Sequence, residues 1–219
     1  MAEDARSRSS RLPALSGVAY VFLVFLGSAV IGGTSGAGRH SLDVADSDVS
    51  DYLRDADVTR VWVGEYVAVA GYALFVLFAA YVWSVVRGSA ERDWRDGGVM
   101  GPALIYVTLA LIGTACLAPV LNRTGDAVDA ARFLDLRSAL FAISFLFFAM
   151  WLVGVGVRSL QTRTLPIWLG WSALVIGVLQ FVGTGFASLD PGFTGVPTFA
   201  GFLWVAIVSV LLARRGQRS

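Results

Sequence analysis

Residues 61–86 read VWVGEYVAVAGYALFVLFAAYVWSVV, and the only charge in the run is Glu65. At 1.5 Å per residue a helix of this stretch is about 39 Å long, enough to cross a ~30 Å hydrocarbon layer. The bilayer core has no water to satisfy backbone N–H and C=O groups, so a crossing segment must pair them internally, as a helix does. Five more stretches share the texture: 13–33, 100–121, 134–157, 166–187 and 198–213. The expected fold class is therefore all-α, a polytopic membrane protein with one six-transmembrane-helix bundle over 13–213. Short polar tails are expected at 1–12 and 214–219.

Composition agrees. Of 219 residues 56% are hydrophobic and 15% charged, with a mean hydropathy of +0.69. A soluble domain carries about 25% charge, so a soluble enzyme, a disordered chain and a disulfide scaffold are all excluded. The rare residues exclude more. All 17 basic residues are Arg, which removes a Schiff-base or catalytic lysine. His40 is the only histidine, so two histidines of one chain cannot hold a haem. Cys116 is the only cysteine, so an internal disulfide, a CxxC pair and a thiolate metal cage are absent.

Arginine placement predicts orientation. With the N-terminus inside, the inner segments hold eleven: Arg6, Arg8, Arg11, Arg87, Arg92, Arg95, Arg158, Arg163, Arg214, Arg215 and Arg218. The outer segments hold five, namely Arg39, Arg54, Arg60, Arg123 and Arg132. The positive-inside rule then places both termini in the cytoplasm, and the expected membrane is the plasma membrane. The first apolar run is longer than the 7–15 residues of a signal h-region, so it is read as a retained span.

The outer loop after the first span is the longest. Within it Val49, Tyr52, Leu53 and Ala56 recur at helical spacing behind Ser47 and Asp48, which predicts a short amphipathic helix at about 47–57. Trp62, Trp83, Trp94, Trp168, Trp171 and Trp204 fall near span ends, the pattern of an interfacial aromatic belt, whereas Trp151 lies deep and is read as packing. Glycines within the spans, among them Gly17, Gly27, Gly71, Gly156, Gly170 and Gly177, suit close helix–helix approach.

Charged groups inside spans are the first place to look for function. Glu65 lies about one turn into the second span and Arg137 about one turn into the fourth. Both spans run inward, so the two sit at similar depth and can pair. Two readings follow: an outward-facing polar pocket that meets a ligand, or a helix–helix clamp. Asp129, Arg132, Asp135 and Arg137 form a charged entry to the fourth span, readable as a ligand site or as a solvated helix end. Gln180, with Thr108, Thr114 and Ser144, is internal and needs partners across helices or a cavity to line. The candidate ligand-binding set is thus Glu65, Arg137, Arg132, Asp135 and Gln180.

Other chemistry finds no support. The acidic stretch at 43–57 lacks the Gly and Glu that an EF-hand loop needs in register. Ser35 and His40 are neighbours in one Gly-rich loop, unlike a nucleophile and base brought from separate spans. Neither a phosphate-binding loop nor an intramembrane aspartate cluster occurs. No cofactor is expected, no metal site, and no nucleic-acid binding, because topology already accounts for the arginines.

Residues 163–171, Arg-Thr-Leu-Pro-Ile-Trp-Leu-Gly-Trp, combine an inner arginine with a Leu-Pro and Trp-Leu-Gly entry to the fifth span. With the opening Leu15-Ser16-Gly17-Val18-Ala19-Tyr20 and the outer loop, the chain resembles uncharacterised six-span membrane families common in actinobacteria. That resemblance implies the six-span fold and carries no activity or site. Three function classes remain: a binder of a lipid or small apolar ligand in an outward-facing cavity, or an accessory subunit; a small transporter; and a membrane-embedded enzyme with Glu65 as acid or base. The first leans away from catalysis. The expected partners are membrane lipids, a small apolar ligand, and a second copy or a membrane partner subunit.

Overall fold

The structure is a computed structural model that describes residues 2–32, 57–88, 94–121, 127–185 and 192–215, with side chains over 12–31, 57–88, 98–121, 130–185 and 195–215. Among them are seven helices and no strand: α1 (Ala2–Gly32), α2 (Val58–Arg87), α3 (Trp94–Ala115), α4 (Leu117–Leu121), α5 (Ala127–Thr162), α6 (Ile167–Gly185) and α7 (Gly192–Arg215). Among the described residues six spans are long and apolar enough to cross a membrane: Leu12–Ile31, Val58–Arg87, Gly98–Leu121, Ala130–Thr162, Ile167–Gly185 and Gly195–Arg215. The third combines α3 with the short α4. The chain is an integral membrane protein built as a helical bundle. The helix expected at 47–57 lies outside the described residues except for Asp57, which caps α2.

Two helices run past their apolar stretches. α1 is already helical at Ala2 and α5 begins at Ala127, so hydropathy marks the membrane-facing part of each helix and not its end. Asp57 starts α2 by accepting the Arg60 backbone N–H at 3.1 Å. The Arg60 side chain crosses to α1, where Nε donates to the Val30 carbonyl at 2.8 Å. That carbonyl is among the last of α1, which have no partner within their own helix.

The helices form a closed ring. α1 packs on α2, α2 on α3, α3 on α5, α5 on α6, α6 on α7, and α7 returns to α1, while α2 and α5 also touch across the middle. The tightest crossings use missing side chains. A Cβ on Gly27 would lie 2.5 Å from the Gly64 carbonyl, and one on Gly64 would lie 2.8 Å from the Gly27 carbonyl. α1 and α2 therefore meet backbone to backbone. Gly156 on α5 and Gly170 on α6 form the equivalent crossing, with a Gly156 Cβ 2.9 Å from the Gly170 carbonyl. Hydrocarbon gives no hydrophobic drive between helices, so dispersion at such short range holds them together.

The ring encloses aromatic side chains. Tyr20, Tyr72, Phe75, Phe78, Tyr106, Phe148, Trp151, Phe202 and Trp204 are all buried in one cluster. Phe75 meets Trp151 edge-on at 5.1 Å and Tyr106 at 5.2 Å between ring centres, and Phe148 stacks on Trp151 at 5.8 Å. The Tyr20 and Tyr106 hydroxyls are hydrogen-bonded to one another at 2.6 Å. Trp151 is packing, as its depth suggested. Trp204 departs from the belt reading: it is buried and its Nε1 donates to the Leu169 carbonyl at 3.0 Å, joining α7 to α6. Trp83 is buried too, whereas Trp168 and Trp171 face outward. Position along a span places a tryptophan in depth; the helix face decides whether it meets lipid.

The last helix is fastened to the first by Ser209. Its hydroxyl accepts from the Val18 N–H at 3.1 Å and donates to the Ala14 carbonyl. An α-helix pairs those two groups with each other, so the α7 hydroxyl bonds both members of one rung of α1.

Candidate functional site

Glu65 is the eighth residue of α2, roughly 10 Å along the axis from Val58. Gly64 beside it lets α1 press against α2, and Glu65 itself points into the bundle with 2% exposure. A lone buried carboxylate would be very costly. Two neighbouring helices remove the problem. Arg137 of α5 donates from Nη2 to Glu65 Oε1 at 2.6 Å. Thr114, near the end of α3, donates from Oγ1 to Oε2 at 3.0 Å. Both carboxylate oxygens are engaged, one by a cation and one by a hydroxyl.

Arg137 is held from below by Phe141, one turn on along α5, whose ring centre lies 5.0 Å from the guanidinium carbon. Gly113 makes room for that ring, since a Cβ there would sit 3.1 Å from it. The guanidinium is not fully used: Nη1 is buried and has no hydrogen-bond partner among the described residues. Between the ion pair and the near end of the bundle lies a small apolar cluster of Val61, Leu117 and Leu121, with Trp62 and Leu134 packed on it. Val61 is one turn from Glu65, Leu117 three residues after Thr114, and Leu134 three before Arg137. The pair is thus capped on its own three spans by apolar side chains.

The five residues expected to form the site separate into three places. Glu65 and Arg137 come together and recruit Thr114. Arg132 and Asp135 share α5 with Arg137 but are exposed; Asp135 is two residues from Arg137 and so turned about 160° from it at 100° per residue. Asp129's side chain lies outside the described residues. Gln180 is fully buried at a different place, where its Oε1 accepts from Thr198 of α7 at 3.0 Å and its Nε2 donates to Thr184 at 3.3 Å. Thr184 donates in turn to the Gln180 carbonyl at 2.9 Å. Gln180 is a link between α6 and α7 with both amide atoms engaged. Of the other internal polar groups, Ser144 bonds its own helix at the Phe141 carbonyl and Thr108 faces outward.

Thr114 is the site residue that sequence reasoning did not single out. The available signal was chemical: a buried carboxylate offers about four lone-pair sites on its two oxygens, more than one arginine fills. Tyr72, two turns below Glu65 on the same face of α2, continues the polar side toward the Tyr20–Tyr106 pair, with its ring 5.9 Å from that of Tyr106.

Among the described residues no group of three or more His, Cys, Asp or Glu side chains could hold a metal ion. Comparison with protein-family models, with curated proteins and with solved structures finds no match for this chain.

Proposed function

We propose that this is a non-enzymatic membrane protein that binds a lipid or small apolar ligand at the Glu65–Arg137 end of its bundle. The observation that carries the reading is the unpartnered Arg137 Nη1. A buried polar atom without a partner costs free energy, and a ligand oxygen supplied there would recover it. On the arginine distribution this end is the outer one and both termini are cytoplasmic; the membrane proposed is the plasma membrane. Membership of the six-span families that the sequence resembles belongs to the same proposal.

The other classes have less behind them. Glu65 as an acid or base has less behind it, because its carboxylate is held as the charged partner of Arg137 with Thr114 on its second oxygen. Transport through one bundle would need a polar path, whereas the centre is packed with aromatic rings. An accessory subunit that uses Glu65–Arg137 only as a clamp is the reading against which binding is tested.

The test is native mass spectrometry of the protein released from mild detergent. Wild type is compared with the double variant Glu65→Gln/Arg137→Met, which removes both charges together. A stoichiometric adduct on wild type that the double variant loses supports binding. Bare wild-type protein, folded and intact, overturns it in favour of the clamp.

A further inference from the structure

The class of ligand can be argued from the charge of the site, and the inference rests on the binding reading above. Glu65 and Arg137 are joined at 2.6 Å with their charges cancelling. The site is therefore neutral before a ligand arrives. Adding an anion would leave one buried negative charge without a counter-charge, at a large desolvation cost. Adding a neutral acceptor leaves the balance at zero and still fills Nη1. The acceptor needed is one oxygen lone pair approaching in the guanidinium plane, because Phe141 covers a face of the group.

The route points the same way. Val61, Leu117, Leu121 and Leu134 lie between the pair and the bundle end. A hydrated phosphate or carboxylate would have to shed its water to pass them, whereas an apolar molecule would not. Depth adds a third constraint. Glu65 lies roughly 10 Å along α2 from its start, within the boundary layer between headgroups and hydrocarbon. Neutral oxygens carried on apolar chains at that depth are ester carbonyls.

We infer that Arg137 Nη1 donates to the ester carbonyl of an acyl lipid, and that the neutral Glu65–Arg137 pair selects esters over the corresponding acids. Glu65 acts here as a positioning residue that orients the guanidinium and cancels its charge.

Three probes of one chain length separate the terms: methyl oleate, oleate and 1-octadecene. Their binding to the full chain in detergent micelles is measured for wild type and for Arg137→Lys, which keeps a cation opposite Glu65 but has no second nitrogen. Methyl oleate is expected to bind one per chain and at least tenfold more tightly than either oleate or 1-octadecene. With a 13C-carbonyl ester, the bound C=O stretch is expected at lower frequency than in empty micelles. Arg137→Lys is expected to lose both the tenfold preference and the frequency shift. Tighter binding of oleate would overturn the ester assignment in favour of an anion site. Equal binding of all three would overturn it in favour of apolar contact alone. In both cases the site would still be a binding site. Absence of saturable binding of any probe to folded wild type would overturn the binding reading as well. The wild-type comparison alone is decisive, so the inference stays falsifiable if the lysine variant fails to fold.

Discussion

Glu65 and Arg137 are 72 positions apart in the chain and 2.6 Å apart in space, with the carboxylate buried and its second oxygen held by Thr114. Removing one member strands the other. Arg137→Met is expected to lower the unfolding free energy by about 3–5 kcal/mol, the usual result of breaking a buried pair from one side. Glu65→Gln/Arg137→Met should recover more than half of that loss. The check is a double-mutant cycle on thermal unfolding in detergent. Strictly additive effects would mean that the two charges do not depend on each other.

Gly27 and Gly64 set the distance between α1 and α2. Gly27→Ala places a methyl 2.5 Å from a carbonyl oxygen that cannot rotate away. Overpacking of this kind is expected to cost about 1–3 kcal/mol, despite alanine's better helix propensity. Gly98 on α3 is the control, since a Cβ there meets nothing within 4 Å. Gly98→Ala should be neutral or stabilising by up to about 1 kcal/mol. Melting temperatures of the two variants moving together would contradict the backbone contact.

Gln180 links α6 to α7 through Thr198. Cross-helix hydrogen bonds in membranes average about 0.6 kcal/mol, so Gln180→Leu and Thr198→Val should each cost about that much or little more. The double variant should cost no more than the worse single one. Ligand adducts should survive in all three. Loss of adducts in Gln180→Leu would move the site to the α6–α7 link.

The arginine asymmetry predicts which end faces out. In a Cys116→Ala background, Asp57→Cys and Arg163→Cys lie at opposite ends of the bundle. A membrane-impermeant maleimide added to intact cells should label the cysteine at 57 and leave the one at 163 until the cells are opened. The reverse order would invert the topology and place the Glu65 end inside.

Sequence alone made the spans legible, because a bilayer leaves an uninterrupted apolar run such as 61–86 little choice but to be a helix. The meeting of Glu65 and Arg137 was legible for a related reason: two opposite charges at one depth lower each other's cost. Where several packings cost the same, the sequence does not choose among them. Thr114 looked no different from Thr108, yet one bonds Glu65 and the other faces outward. Only the rotation of α3 against α2 distinguishes them, and rotation follows from packing. Trp204 was misplaced for the same reason. Gln180 announced a need for partners but not that Thr198, 18 positions on, would supply one. The polar start of α1 gave no hydropathy signal, since outside hydrocarbon a helix has no need to be apolar.

Ser209 reaches back 195 positions to Ala14, across nearly the whole described chain. During synthesis at 5–20 residues per second, Ala14 is made about 10–40 s before Ser209 exists. For that interval Ala14 and Val18 have each other as ladder partners, and the side of α1 that will receive α7 faces lipid. The ring can close only once α7 has been made, so until then the α1 side of this seam is the place where the growing bundle stays open to its neighbours in the membrane.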